Sequence, residues 1–173
     1  PTALRAEHEA DGLRLLAGRG AVFLHASQIR DEDTVALLLE RCTPGTELRQ
    51  RPEPEQDEVL AGLLPRLWVK PPPGHPFRPL QSMCDSWAES FEQHQAGAPD
   101  GAARLDPGLA RLGMHLFRTL STPAEHDVLI GTDLHAGNIL AAQREPWLMI
   151  DPKPYLATRC TTCFSTCSTA VNA

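Results

Sequence analysis

One stretch constrains this chain more than any other: Thr132-Asp133-Leu134-His135-Ala136-Gly137-Asn138-Ile139-Leu140, followed by Trp147-Leu148-Met149-Ile150-Asp151. Residues 138–142 and 147–150 read as two short apolar strands, and Gln143-Arg144-Glu145-Pro146 between them is polar, carries a proline and reads as a turn. Such a hairpin folds Asp151 back beside Asn138, although the two stand 13 positions apart. Two oxygen ligands then face one hard cation, of the kind that completes its shell with phosphate oxygens and water. Asp133 stands at the start of the same loop, near where a reacting hydroxyl would arrive. Asn and Asp taken singly are most often turn and cap residues. The set and its hairpin together point to chemistry.

The order is that of a kinase catalytic loop, in which an Asp and an Asn bracket four residues and a strand then delivers a second acid. The stretch from Val128 to Pro154 resembles the aminoglycoside phosphotransferase superfamily, and within it the streptomycin 6-kinase and hydroxyurea phosphotransferase branch. Most of the superfamily has His-Gly-Asp before the loop. Gly131-Thr132-Asp133 is similar to this branch's variant, as are Asp133-Leu134-His135-Ala136-Gly137-Asn138 and Glu145-Pro146-Trp147-Leu148-Met149-Ile150-Asp151-Pro152-Lys153-Pro154. The resemblance spans about residues 1 to 156, closely at the end and loosely in the middle. It implies an α/β (α+β), protein-kinase-like, two-lobed fold, with ATP and Mg2+ as cofactors. By resemblance Asp133 is the catalytic base, His135 orients the loop, and Asn138 and Asp151 bind magnesium.

Composition suits one soluble globular domain: 173 residues, 42% hydrophobic and 22% charged. Net charge is −6, without a basic cluster of the kind that tracks nucleic acid. No apolar run approaches the ~20 residues of a membrane span, and no signal peptide is visible. The expected compartment is the cytoplasm, where ATP is available. An acidic surface favours a cationic small molecule such as an aminoglycoside, although an ordinary acidic protein needs no ligand. A monomer is expected for the intact protein.

The ends read as incomplete. Pro1 is not a translation start, and the first helix signal runs over residues 3–17. In the family a Gly-rich phosphate-covering hairpin and a strand with an ATP-contacting Lys precede this helix. Gly18-Arg19-Gly20 is too short for that hairpin and reads as a helix cap and turn. By resemblance Glu9 is the helix acid that pairs with that Lys; without its partner it is a surface acid. At the other end hydrophobic periodicity disappears after Tyr155, and residues 160–167 hold three of the five cysteines. Codons can be chosen for this tail that, read from the third base, spell Gly-Asp-Pro and an amphipathic segment, similar to how the family continues. The tail is therefore expected to be a disordered frameshift product. The rival is a metal or redox site at Cys160, Cys163 and Cys167, one ligand short of a structural zinc site.

Between the ends, residues 34–42 read as a buried strand with residues 21–25 as its hairpin partner. By resemblance this strand ends at the hinge between lobes, where backbone groups near Glu40 and Cys42 meet the adenine edge. Helices are expected over about residues 55–68, with Val59, Leu60, Leu63, Leu64 and Leu67 inward, and near residues 80–94. Another is expected over about 107–120, with Leu109, Leu112, Leu116 and Leu120 on one face. Residues 70–76 form an extended proline-rich connector and residues 95–104 a mobile loop. Asp85, Glu89 and Glu92 recur at helical spacing and read as a solvated face, and Trp147 as core. The expected division is residues 1–45 for the rear of the small nucleotide-binding lobe and hinge, 46–155 for the helical catalytic and acceptor lobe, and 156–173 for the tail.

The parent reaction implied is transfer of the γ-phosphoryl group of ATP to a hydroxyl of a streptomycin-like aminoglycoside, in antibiotic resistance or secondary metabolism. Two other readings stay open: a catalytically inactive remnant, which is what the shortened ends lead one to expect of this chain, and a metal-binding or interaction module built on the tail.

Overall fold

Val128, Leu129 and Ile130 are all buried, because the strand they form is covered on both faces. This computed structural model describes residues 8–30, 34–96, 106–119 and 126–158. In chain order its elements are α1 (Glu9–Leu16), β1 (Leu24–Ile29), β2 (Val35–Leu39), α2 (Glu53–Leu67), α3 (Leu80–Ala96), α4 (Pro107–Thr119), β3 (Val128–Gly131), β4 (Ile139–Ala141), β5 (Trp147–Met149) and β6 (Pro154–Ala157). The strands pair antiparallel as β1–β2, β3–β6 and β4–β5.

The β3–β6 ribbon divides the core. Strand alternation sends Leu129 and Leu156 into the main cluster, with Leu13, Leu16, Leu63, Leu67, Ile139 and Leu148. The neighbours Val128, Ile130, Tyr155 and Ala157 face the second cluster, with Leu80 and Cys84 of α3. Leu156 and Ala157 pair with Leu129 and Val128, so the ordered domain continues past the boundary drawn at residue 155. The cysteines of the tail lie outside the described residues.

The helices form about where their apolar period places them. α2 starts two residues early, after Pro52, with Pro54 in its first turn, where a missing N–H costs nothing. Pro65 is tolerated in the last turn, and Leu63 and Leu67 are buried as expected. Asp106 caps α4 by accepting from Gly108 N and Leu109 N at 2.8 and 3.0 Å. The face of α4 differs from expectation. Leu109 and Leu112 are exposed, while Met114 is buried and Ala110, Gly113, Leu116 and Phe117 are half-buried. That stripe packs on α3, whose Trp87 meets Phe117 edge-on at 5.9 Å. Asp85, Glu89 and Glu92 are exposed.

The strand near the N-terminal end also needs correction. The partner of β2 begins at Leu24, not at Ala21. Ala21 and Val22 are wholly buried and join the other hairpin instead: Val22 N donates to Met149 O at 3.0 Å and Met149 N to Gly20 O at 2.8 Å. Nor is β2 buried. The β1–β2 ribbon meets the core through Leu24, Leu37 and Leu39, while Leu38 on its other face and the Ile29–Val35 pair at its far end are exposed.

Candidate active site

The site is assembled from the ends of buried elements. β3 delivers Asp133, and Leu134, buried in the main core, pins the loop that follows. His135 caps the 3₁₀ turn Ala136–Asn138: its Nδ1 accepts from Gly137 N at 3.0 Å. That close approach requires glycine, because a Cβ at residue 137 would fall 2.9 Å from His135 Cε1. The other ring nitrogen of His135 lies 3.7 Å from Asp133 Oδ1, so the imidazole bridges from the loop backbone toward the carboxylate without a short hydrogen bond to it.

Asn138 is fixed on three sides. Its N–H donates to His135 O at 2.9 Å, its carbonyl accepts from Ile150 N at 2.9 Å, and its Nδ2 donates to Asp133 O at 3.0 Å. With Nδ2 committed to the backbone, Oδ1 is the atom the side chain can offer a cation. The register Ile139↔Met149 sets Asn138 opposite Ile150, and Asp151 follows directly. The hairpin thus has the strands and turn expected of it. Asn138 Oδ1 and the Asp151 carboxylate are hard oxygen donors, a set that suits magnesium with its remaining positions left to phosphate and water. Among the described residues no group of three or more His, Cys, Asp or Glu side chains is placed to hold a metal by itself.

Between β5 and β6 the chain reverses through Asp151-Pro152-Lys153. Asp151 and Lys153 both take left-handed backbone, at φ 48° and 39°. Such residues cost about 1 kcal/mol or more each unless the surroundings hold them. Thr132 does so: its N–H and its hydroxyl both donate to Lys153 O, at 3.2 and 2.9 Å. The Lys153 ammonium consequently contacts Asp133 Oδ2 and lies 3.1 Å from Asp151 Oδ2. Burial by itself would lower this ammonium's pKa, but hydrogen bonds to Asp133 and Asp151, and their charge, raise it above the ordinary lysine value.

Glu9 joins the same cluster from α1. Gly12 allows that helix to lie on Pro154, where a Cβ would come within 2.9 Å of the ring. The half-buried Glu9 carboxyl is pushed up by burial first and by the charge of Asp151 second, with Lys153 opposing both. The lysine it senses in this structure is therefore Lys153.

Glu40 and Cys42 are not part of that cluster. They belong to the far end of the β4–β5 ribbon, about 10 Å away by strand rise. There Arg144 of the turn donates through Nε to Glu40 Oε1 at 2.9 Å and through Nη2 to Glu40 Oε2 at 2.8 Å. It also reaches Gly18 O and Ala21 O and lies 4.3 Å over the Phe23 ring. Hydrogen bonding to Arg144 holds the Glu40 carboxyl below the usual range, and burial holds the Cys42 thiol above it.

Sequence reasoning missed Lys153, Thr132 and Arg144. Lys153 follows a candidate metal ligand across one proline, a spacing that marks its neighbourhood but not the direction of its side chain. Arg144 sits in a polar turn that any charged residue could fill; its partner Glu40 lies 104 positions away.

Comparison with known proteins decides the family. The sequence pattern described as "Aminoglycoside/hydroxyurea antibiotic resistance kinase" matches residues 2–160. The chain belongs to that family. It is 40% identical over 153 residues to a hydroxyurea phosphotransferase of Kitasatospora aureofaciens, an alignment covering 84% of this chain and 42% of that protein. It is 38% identical over 152 residues to a streptomycin 6-kinase of Streptomyces glaucescens, covering 83% of this chain and 44% of the relative. The corresponding kinase of Streptomyces griseus is 37% identical over 147 residues. The chain thus spans a little under half the length of these family members. The crystal structure of an aminoglycoside-3'-phosphotransferase of type VIII superposes with a TM-score of 0.61 at 23% identity, over 96% of this chain and 64% of that one. This likeness establishes the mixed α+β, kinase-like phosphotransferase fold.

Proposed function

We propose that this chain carries the catalytic loop and cation site of an ATP-dependent phosphotransferase. Its acceptor is a hydroxyl of a small cationic molecule, an aminoglycoside of the streptomycin kind. The observation that carries this reading is the convergence of Asp133, Asn138 and Asp151 at the open end of one hairpin. Asp133 orients the acceptor hydroxyl and takes its proton. His135 holds the loop through Gly137 N and acts on Asp133 by position, not by proton transfer. Asn138 and Asp151 would hold magnesium, which when bound neutralises charge on the phosphates. The backbone at Glu40 and Cys42, at the ribbon's other end, faces the adenine edge. Glu9 shapes the field around Asp151. Catalysis of this kind is mostly positioning and charge neutralisation, which suits a site built from hydrogen-bonded loops on a rigid core. Names of relatives favour two acceptors, streptomycin and hydroxyurea, each of which offers a hydroxyl.

Two separate readouts test this. Magnesium-dependent ATP binding is followed by calorimetry, and phosphorylation of streptomycin and hydroxyurea by mass change. Asp151→Asn should abolish the magnesium dependence of binding, and Asp133→Ala should abolish transfer while sparing binding. Transfer surviving Asp133→Ala overturns the assignment of the base. Binding without turnover by the unaltered chain would favour the inactive-remnant reading.

A further inference from the structure

Lys153 is the cation that touches both Asp133 and Asp151. Here the ammonium links the carboxylate assigned to the acceptor hydroxyl with the one assigned to magnesium, so it stands between the two partners of the transfer. Its backbone is locked for this: left-handed at φ 39°, behind buried Pro152, with two donors from Thr132 on its carbonyl. The tip is free to move by comparison, because a lysine carries a compact charge on a four-carbon stem. It has three donors, and the two carboxylates take two of them. The side chains of Lys153 and Asp151 remain about a third exposed, so the cluster is open to a ligand.

We propose that Lys153 contacts the transferred phosphoryl group. It ties Asp133 to Asp151 before substrates arrive, and its ammonium then passes to the equatorial oxygens of the γ-phosphoryl group. This rests on the function proposed above. In the step, the bond from acceptor oxygen to γ-phosphorus forms as the bond from γ-phosphorus to the β–γ bridging oxygen breaks. The hydroxyl proton goes to Asp133, the bridging electron pair leaves with ADP, and Lys153 keeps its proton and changes partners.

The test compares the unaltered chain with Lys153→Met and Lys153→Arg by calorimetry. Each is titrated with a non-hydrolysable ATP analogue plus Mg2+ and with ADP plus Mg2+, and each is melted to verify folding. Lys153→Met should weaken the analogue about tenfold, the size of one charge-assisted hydrogen bond, and ADP less than about twofold. Lys153→Arg should recover part of the difference. Equal loss for both nucleotides, or no loss for either, overturns the role of Lys153 and leaves Asp151-dependent binding, and so the parent reading, standing. No magnesium-dependent nucleotide binding by the unaltered chain overturns both. Should Lys153→Met fail to fold, Lys153→Arg decides: a few-fold selective loss on the analogue supports the proposal, and an unchanged ratio of the two affinities overturns it.

Discussion

Thr132 shows how much one hydroxyl carries. It donates to a carbonyl whose residue stands in left-handed backbone, and that residue aims an ammonium at two acids. Thr132→Val keeps shape and loses the donor. It should cost about 1 kcal/mol, read by urea denaturation, and should loosen Lys153 without touching Asp133. Thr132→Ser should restore most of that loss. Gly137 makes the complementary point. Gly137→Ala drives a methyl into the His135 ring, so the cap on the 3₁₀ turn opens. The expected result is a cost of about 1 kcal/mol and a shifted His135 imidazole resonance. At this scale the proximity of Asp133, His135, Asn138 and Asp151 was legible, because one loop and one hairpin carry all four. The role of Lys153 was not, since its direction depends on backbone angles that a Pro-flanked lysine does not announce.

Among the elements, the β4–β5 hairpin is the part that joins site to scaffold. Its open end orders Asn138 and Asp151, and its turn presents Arg144 to Glu40. Arg144→Ala leaves the Glu40 carboxylate without its bidentate partner and should cost about 2 kcal/mol, partly discounted because the pair is partly solvated. The pH dependence has a definite sign. Glu40 is lowered in the folded state, so its contribution is present above the ordinary glutamate pKa and fades as pH falls through the lower folded value. The stability gap between the wild-type chain and Arg144→Ala in melting curves should therefore narrow as pH falls below the ordinary glutamate value. A gap that stays constant with falling pH would mean that the contacts to Gly18, Ala21 and Phe23 dominate. For α4 the exposed leucines set another test. Leu112→Lys should change stability by less than about 0.5 kcal/mol, whereas Met114→Ala should cost about 2 kcal/mol. Helix existence was legible from the 3.6-residue period, but the buried face was not. Periodic leucines mark a stripe, and where the neighbouring helix α3 lies decides which stripe is covered.

For the whole molecule, the β1–β2 ribbon carries conspicuous exposed apolar side chains: Ile29, Val35 and Leu38, Ile29 by 77%. Ile29→Thr with Leu38→Lys should reduce self-association in light scattering while changing stability by less than about 1 kcal/mol. No helix among the described residues is long and apolar enough to cross a membrane. The sequence by itself determined what is local: the hairpin with its polar turn, the four helices, the order of acid, amide and acid, and through these the family. Each depends on neighbours within a few residues or on one strand pairing, so a periodicity or a spacing records it. Only the tertiary structure decided the partners. Arg144 finds Glu40 across 104 positions, Lys153 finds Asp133 across 20, and α1 brings Glu9 over Asp151 because Gly12 lets the helix rest on Pro154. These contacts arise where independently packed elements meet. Their geometry depends on backbone angles and core shape, which no single segment of the chain contains.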